Sequence, residues 1–427
     1  LRRICYGVNC KEIEEYFEES SNEFQEFSDE KQVMQSYRIE KGVYVTAFYE
    51  GKIGTAYQSG FNKNQLEMTL HDAMQNAEYF GKRGTYSLSK QCCNESNFKT
   101  LSKVYNDREF DFSRFKEILA QYDIAKIKRL KVRKCTSNVK IKNTAGFNCG
   151  YNSQYIYLIF QFELSSAMFH SCSIVGHDVS DLFKNLYNNL SLKFKKAITS
   201  QGFINRCGEF PVLLSCNALA TIISFFSNIF IGRNASVRID LLNKLKNTHG
   251  IITITDKGNI NSGFASAPFD CEARNTQNTI IVKDGRLSGF FWDALDEEKG
   301  IHVSTGNKMK DSYKGRSYIA PTNLIINGGK HDVNNLITSI SEGFYIDKIG
   351  YIPGSIDNIM GNFSFYADGY YIEKGKLKYY IPRLTLSGNI KNIFSDIIAL
   401  SSYKEWIVSK CVVEAPAALV NSMKISW

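Results

Sequence analysis

Ile281-Val282-Lys283-Asp284-Gly285-Arg286-Leu287-Ser288-Gly289 lies in the middle of the stretch that decides the fold, Asp256 to Gly329. Before it come Asp256-Lys257-Gly258 and Phe269-Asp270-Cys271-Glu272. After it come Ser304-Thr305-Gly306-Asn307 and Pro321-Thr322-Asn323-Leu324-Ile325-Ile326-Asn327-Gly328-Gly329. Short apolar runs alternate with Gly, Asn and Asp, which is the punctuation of brief strands joined by tight turns. Asp284-Gly285 is the strongest hairpin signal, because a type I′ turn requires positive φ at both central residues.

Upstream the pattern mixes helix and strand. Ile13, Tyr16 and Phe17 share one helical face over residues 8–19, which predicts a helix there. Strands are predicted at 33–40, 42–50 and 52–59. The clearest helix spans 63–80, with Leu66, Leu70, Ala73, Met74, Ala77 and Phe80 on one face and Asn62 as its cap. A loop follows over 84–110, then a helix at 111–122. Lys126 to Lys134 is the most basic run; as a strand it turns Leu130 and Val132 inward and Arg129, Lys131 and Arg133 outward. A phosphate-binding stripe needs stacking aromatics as well, and this run contains none, so it reads as a solvated strand face. Further strands are predicted at 137–143, 154–164 and 167–175, and helices at 178–199 and 217–230. Past Arg206-Cys207-Gly208 strand signals dominate, with one late helix at 391–400. The expected organisation is an N-terminal domain of mixed helix and strand, 1–205, and a mainly β C-terminal domain, 206–427.

The 427 residues carry a net charge of +9, with 43% hydrophobic and 22% charged residues, the profile of a globular protein with ample core. The charge permits an acidic partner without demanding one. The longest apolar run, Ala218 to Ile231, is broken by Thr221, Ser224, Ser227 and Asn228, which excludes a membrane span. Eleven scattered cysteines predict free thiols in a reducing, cytoplasmic setting. The acidic residues Glu12, Glu14 and Glu15 argue against a secretory leader.

A search for chemistry finds no catalytic residue. None of the six histidines is followed by Glu, no H-E-x-x-H or H-E-x-x-x-H pattern occurs, and His170 and His177 have the wrong separation to share a metal. G-x-S-x-G, P-loop and dinucleotide signatures are absent. Asp256, Asp270 and Glu272 could form an acidic cluster, though carboxylates on turns are more often structural. No metal and no cofactor is predicted.

The order of features resembles the TldD/PmbA family, the peptidase-related proteins also called modulators of DNA gyrase. The resemblance runs through Gly51-Lys52-Ile53-Gly54-Thr55-Ala56, the helix 63–80, Asp256, Phe269-Asp270-Cys271-Glu272, Gly285-Arg286-Leu287, Ser304-Thr305-Gly306-Asn307 and Asn323. It continues through Gly361-Asn362-Phe363-Ser364, Gly369-Tyr370-Tyr371-Ile372-Glu373-Lys374-Gly375, Leu386-Ser387-Gly388-Asn389 and Ala415-Pro416. Ala273 departs from the glycine usual after Glu272. The TldD branch carries H-E-x-x-x-H on the helix after the domain boundary, with a cysteine near the C-terminus. Here Ser224, Phe225 and Ile229 stand at those positions, and Cys411 lacks the Gly-Lys that follows the family cysteine. The chain therefore resembles the PmbA branch, also called TldE, which lacks the zinc ligands.

The resemblance implies an α+β fold whose C-terminal domain is mainly antiparallel and barrel-like. It implies a metal-free subunit that pairs with a TldD-type zinc peptidase, or with itself, and offers a groove to an extended peptide. Asp256, Asp270, Glu272, Ser304, Thr305, Asn307 and Asn323 are the groove candidates. Two alternatives are a nucleic-acid- or gyrase-associated binding protein, which the composition makes the weaker reading, and a peptidase with a divergent metal site.

Overall fold

The computed structural model describes residues 12–84, 86–90, 109–122, 124–164, 169–193, 202 and 207–426. Two large sheets organise them. The first is built from β1 (Glu12–Ser28), β2 (Lys31–Tyr49), β3 (Lys52–Ser59), β4 (Lys82–Arg83), β5 (Ile124–Asn143), β6 (Asn148–Leu164) and β7 (Phe169–Gly176). Its order is β4-β3-β2-β1-β5-β6-β7, and every neighbouring pair is antiparallel.

The helix predicted at 8–19 is instead part of β1; residues 8–11 lie outside the described residues. The misreading has a physical cause. β1 lies between β2 and β5 and is covered on both faces, so its apolar residues do not alternate with polar ones. Phe17 packs beside the helix Lys63–Gln75, while Tyr16 faces the C-terminal half of the chain. The strands expected at 33–40 and 42–50 are one strand, β2, and those at 126–134 and 137–143 are one strand, β5. In β5, Leu130 and Val132 are buried and Arg129 and Arg133 exposed, as the alternation predicts. The register also sets Tyr157 of β6 beside Arg133 and Tyr155 beside Cys135, aromatics from another strand that the basic run itself does not contain.

One face of this sheet carries the helix Lys63–Gln75 at one end. Asn62 caps it by accepting from the Gln65 N–H at 2.8 Å, and its last turn widens into a π-helical turn, Asn76–Phe80. At the other end the helices Phe112–Leu119 and Val179–Lys193 cover a core of Leu130, Leu158, Phe160 and Phe162.

The second sheet comes from the C-terminal half. Its strands are β8 (Gly208–Leu214), β9 (Ile254–Lys257), β10 (Asn278–Lys283), β11 (Arg286–Leu287), β14 (Asn323–Ile326), β15 (Glu342–Gly350), β16 (Asn362–Glu373), β17 (Lys376–Asn389), β18 (Ile397–Val408) and β19 (Val412–Ser426). A separate pair, β12 (Lys308–Met309) with β13 (Tyr318–Ile319), stands apart. Strands β8, β15, β16, β17 and β19 close into a ring, since β8 pairs with both β15 and β19. The fold is thus α+β, with mainly antiparallel pairing and a partly barrel-like second sheet; the β14–β19 and β8–β15 pairs are parallel. Asp284 and Gly285 have φ of 49° and 73°, the two left-handed residues of the expected hairpin turn between β10 and β11. The late helix is shorter than predicted, Ile390–Ser395, because β18 claims the residues from Ile397 onward.

The helix Cys216–Phe225 packs against β19, β15 and β18, and residues 218–224 are all buried. Ser215 caps it by accepting from the Ala218 N–H. Phe226, at its end, is 0% exposed and meets Phe363 edge-on at 6.0 Å. The change Phe226→Ala is expected to destabilise the fold by about 3–5 kcal/mol. A shift of less than about 1 kcal/mol in denaturant unfolding would show that this face carries little of the core.

Candidate functional site

The stretch 256–323 folds into two connected polar clusters on turns between short strands. In the first, β9 delivers Asp256 into the interior, where it is 1% exposed. Its carboxylate accepts from Thr322 N–H at 2.9 Å, Thr322 Oγ1 at 2.9 Å and Asn307 Nδ2 at 2.8 Å. Burial raises its pKa to about 6 despite those donors. Asn307 donates also to Ala320 O at 3.2 Å. Asn323, the first residue of β14, donates to Lys257 O at 2.9 Å and Ser266 Oγ at 3.1 Å, and accepts from Ala265 N–H. These bonds pin the loop after β9 to the start of β14.

The second cluster is charged. Asp270 closes a tight turn by accepting from the backbone N–H groups of Glu272 and Arg274, each at 2.9 Å, and from Lys308 N–H at 3.1 Å. Ala273 completes the turn with φ of 55°, so alanine here adopts the left-handed conformation that glycine takes without cost. Lys308 inserts its ammonium beneath the turn. It donates to Asp293 Oδ2 at 2.5 Å and lies 3.6 Å from Glu272 Oε1. Asp293 caps the short helix Ala294–Glu298, and its other oxygen accepts from Arg233 at 2.5 Å. Burial acts to raise the Asp293 carboxyl, but Lys308 and Arg233 outweigh it and hold the group below its ordinary value. Burial likewise acts to lower Lys308, and Glu272 and Asp293 outweigh that too, so its pKa is raised. Both stay charged at neutral pH. Ser304 and Thr305 reach back to the Trp292 carbonyl at 3.4 and 3.2 Å, which ties the turn before β12 to the same helix start.

The N-terminal sheet reaches this cluster through Glu14 of β1. Its Oε1 accepts from Tyr86 Oη at 3.1 Å, and Asp270 and Glu272 lie close enough to repel its charge. Among the described residues its second carboxylate oxygen is buried with no partner at hydrogen-bond distance. Burial, then Glu272, pushes its pKa up to about 8, so at pH 7 the group is protonated. Around it Tyr16, Tyr44, Phe147 and Tyr151 pack on Phe269 and Tyr313, with Phe147 and Phe269 edge-on at 5.1 Å. Lys310 lies over the Tyr44 ring at 3.1 Å, its pKa lowered to about 8 by burial.

The seven residues singled out in the sequence therefore fall together, Asp256, Asn307 and Asn323 in one cluster and Asp270, Glu272, Ser304 and Thr305 in or beside the other. All but Thr305, which is half-buried, are buried, and among the described residues Asn307 Oδ1 finds no hydrogen-bond partner. Sequence reasoning missed Lys308, Asp293, Arg233, Thr322, Tyr86 and Glu14. Lys308 follows directly after the quoted Ser304-Thr305-Gly306-Asn307, and Asp293 precedes a helix of only five residues.

At the positions of the zinc-binding helix, Ser224 donates to Thr221 O at 2.9 Å, Phe225 stacks on Tyr351 at 4.8 Å and Ile229 is buried. Phenylalanine and isoleucine offer a metal no lone pair. Burial, then Asp256, pushes the Cys411 thiol up to about 12, away from the thiolate that zinc requires. These residues do not fit a zinc ion. Among the described residues, no three His, Cys, Asp or Glu side chains are grouped to hold a metal, and no helix is long and apolar enough to cross a membrane.

The account of Glu14 carries a pH signature. An unfolded glutamate titrates near 4.5 and the folded group near 8. Between these values the folded chain keeps a proton that the unfolded chain has lost, so this group lowers stability as pH rises through that window. The variant Glu14→Gln is expected to be more stable than the parent by about 1 kcal/mol or more at pH 8, with the advantage shrinking towards pH 5. Denaturant titrations at both pH values decide it: an advantage independent of pH contradicts the assignment.

Comparison with known proteins places these features in context. Residues 207–427 match the profile described as the PmbA/TldA metallopeptidase C-terminal domain. A metalloprotease PmbA homolog of Buchnera aphidicola subsp. Baizongia pistaciae is 29% identical over 175 residues; the match covers 41% of this chain and 36% of that protein's length. An uncharacterized protein of Methanocaldococcus jannaschii is 25% identical over 392 residues, covering 86% of each chain. The crystal structure of TldE from Thermococcus kodakarensis shares the fold, with a TM-score of 0.81 at 16% identity over 98% of this chain and 97% of that one. This chain belongs to the PmbA/TldD family.

Proposed function

We propose that the chain is a TldE/PmbA-like subunit without catalytic zinc, which completes the peptide-binding chamber of a TldD-type zinc peptidase acting on unfolded or extended peptides. The observation that carries this reading is the pairing of a lost donor set with a kept frame. Ser224, Phe225 and Ile229 are engaged in packing and in a backbone hydrogen bond. The turns held by Asp256, Asn323, Asp270 and Lys308 nevertheless keep a dense hydrogen-bond network.

The buried frame residues position backbone rather than touch a ligand. Asp256 and Asn323 hold the loop after β9, Asp270 and Glu272 hold the turn after Phe269, and Ser304, Thr305 and Asn307 hold the turn leading to β12. A groove of this kind takes an extended peptide through main-chain hydrogen bonds, which need no particular side chain. That accounts for a site region without a nucleophile, a general base or a metal ligand set. The zinc and its activated water belong, on this reading, to the partner subunit.

Mixing the chain with a TldD-type peptidase is expected to give a stable heterodimer at micromolar concentrations, with peptidase activity well above that of the partner alone. The chain by itself should hold no stoichiometric zinc and leave unfolded peptides intact. About one zinc per chain together with chelator-sensitive cleavage would overturn the reading, as would unchanged partner activity with no complex on a sizing column.

A further inference from the structure

One surface of the C-terminal half combines exposed apolar side chains with buried polar atoms that find no partner. It is made by the loop 351–361 between β15 and β16, by the end of the 3₁₀ turn Gly232–Arg238, and by Phe225 at the end of the helix Cys216–Phe225. Three contacts join these pieces. Tyr351 stacks on Phe225 at 4.8 Å. Arg238 donates from Nη1 to the carbonyl of Asn228, just beyond Phe225, at 2.7 Å. Gly361 approaches the helix Ile239–Lys246 so closely that an added Cβ would lie 2.9 Å from Leu241 Cδ1.

Val237, Tyr351, Ile359 and Met360 are 48–66% exposed on these segments. A single exposed apolar side chain is ordinary, but four on adjoining segments mark an interaction site. The polar atoms point the same way. Among the described residues Arg238 Nε, Ser355 Oγ and Asn358 Oδ1 are buried with no hydrogen-bond partner. Folded chains leave few such atoms, because each has lost water without gaining a bond. We infer that this face docks onto the zinc-bearing partner subunit, which sets a carboxylate against Arg238 and apolar side chains against Tyr351 and Met360. The inference rests on the subunit reading above and adds where the partner sits.

Charge selects the occupant. Among the described residues neither Arg238 nor Lys410, whose ammonium lies 6.0 Å from the Tyr351 ring, has an ion pair. Two carboxylates are near in sequence. Asp357 is occupied by the backbone N–H groups of Ile359 and Met360, at 2.9 and 3.0 Å. Asp240 opens the helix Ile239–Lys246, where the helix dipole favours it. Burial alone shifts the Arg238 pKa, downward, so no carboxylate acts on its guanidinium. A second copy of this chain docked through the same face would bring these cations together, which disfavours self-association here. A different chain that carries a carboxylate meets the planar guanidinium with two parallel hydrogen bonds. Tyr, Met and Arg are also the residue types enriched at protein interfaces. Phe225 has two parts in this: it offers no ligand to zinc, and it supports Tyr351.

The test measures by sedimentation the dissociation constant of the full chain with a TldD-type peptidase, for the parent and for Arg238→Glu, Arg238→Met and Met360→Asp. Arg238→Glu and Met360→Asp are expected to weaken the complex about thirtyfold or more, the scale of a lost interfacial charge pair or central contact. Arg238→Met should weaken it and flatten its dependence on salt, which a purely structural role would leave as in the parent. Denaturant unfolding of each variant alone checks that it keeps the fold, and Met360→Asp, at an exposed position, carries the test if Arg238→Glu does not fold. A complex unchanged by Arg238→Glu and Met360→Asp overturns the proposal and leaves the subunit reading standing. A parent chain that forms no complex overturns both. A parent chain that dimerises alone, and loses its dimer on Arg238→Glu, assigns the face to a second copy and overturns the proposed partner.

Discussion

The ammonium of Lys308, held between Asp293 and Glu272, is the constraint on which the rest of the site region depends. Taking an amine out of water is costly unless carboxylates and hydrogen bonds replace the water. Asp293 supplies the direct contact and stays ionised because Arg233 completes its coordination. Asp270 anchors the backbone of Lys308 itself, so the turn after Phe269 and the pair β12–β13 cannot move apart without exposing the charge. The same turn presents Phe269 to Phe147 and Tyr151, one of several contacts that dock the two sheets. Glu14 adds a proton-holding carboxyl at that seam, tolerable only in its neutral form.

The helix Cys216–Phe225 serves as core, with Ser224 bonded to the backbone and Phe225 and the following Ile229 packed, and the ring of β8, β15, β16, β17 and β19 closes beside it. The turns from Asp256 to Asn323 keep their polar bracing. Asn323 reaches both Lys257 and Ser266, and Asp256 collects three donors inside the domain, which satisfies two polar groups that burial would otherwise penalise. On the proposed reading those bonds hold backbone in place for a peptide that another subunit cleaves.

The C-terminal half was the more legible from sequence, because its turns use residues with strict backbone demands. Asp284-Gly285 could be read as a left-handed pair, and the structure has that pair. Asp256, Asp270, Asn307 and Asn323 could be picked out through the family resemblance, although their burial could not. The N-terminal half was harder. β1 is covered on both faces, which removes the period-two signal, and Ile13, Tyr16 and Phe17 then mimic a helical stripe. The break placed within β2 arose from a polar stretch that the structure carries as exposed strand. Lys308 was invisible as a site residue because a buried lysine announces itself only through partners distant in sequence, Asp293 and Glu272.

The most direct test of the central constraint is the unfolding free energy of Lys308→Met, read from the fluorescence of Trp292, which neighbours Asp293. If the ammonium organises the cluster, its removal leaves Glu272 buried without its cation and Asp293 with Arg233 alone. The cost should then be about 3–5 kcal/mol, with a large part regained on adding Asp293→Asn. A loss below about 1 kcal/mol, or strictly additive effects of the two changes, would contradict the account.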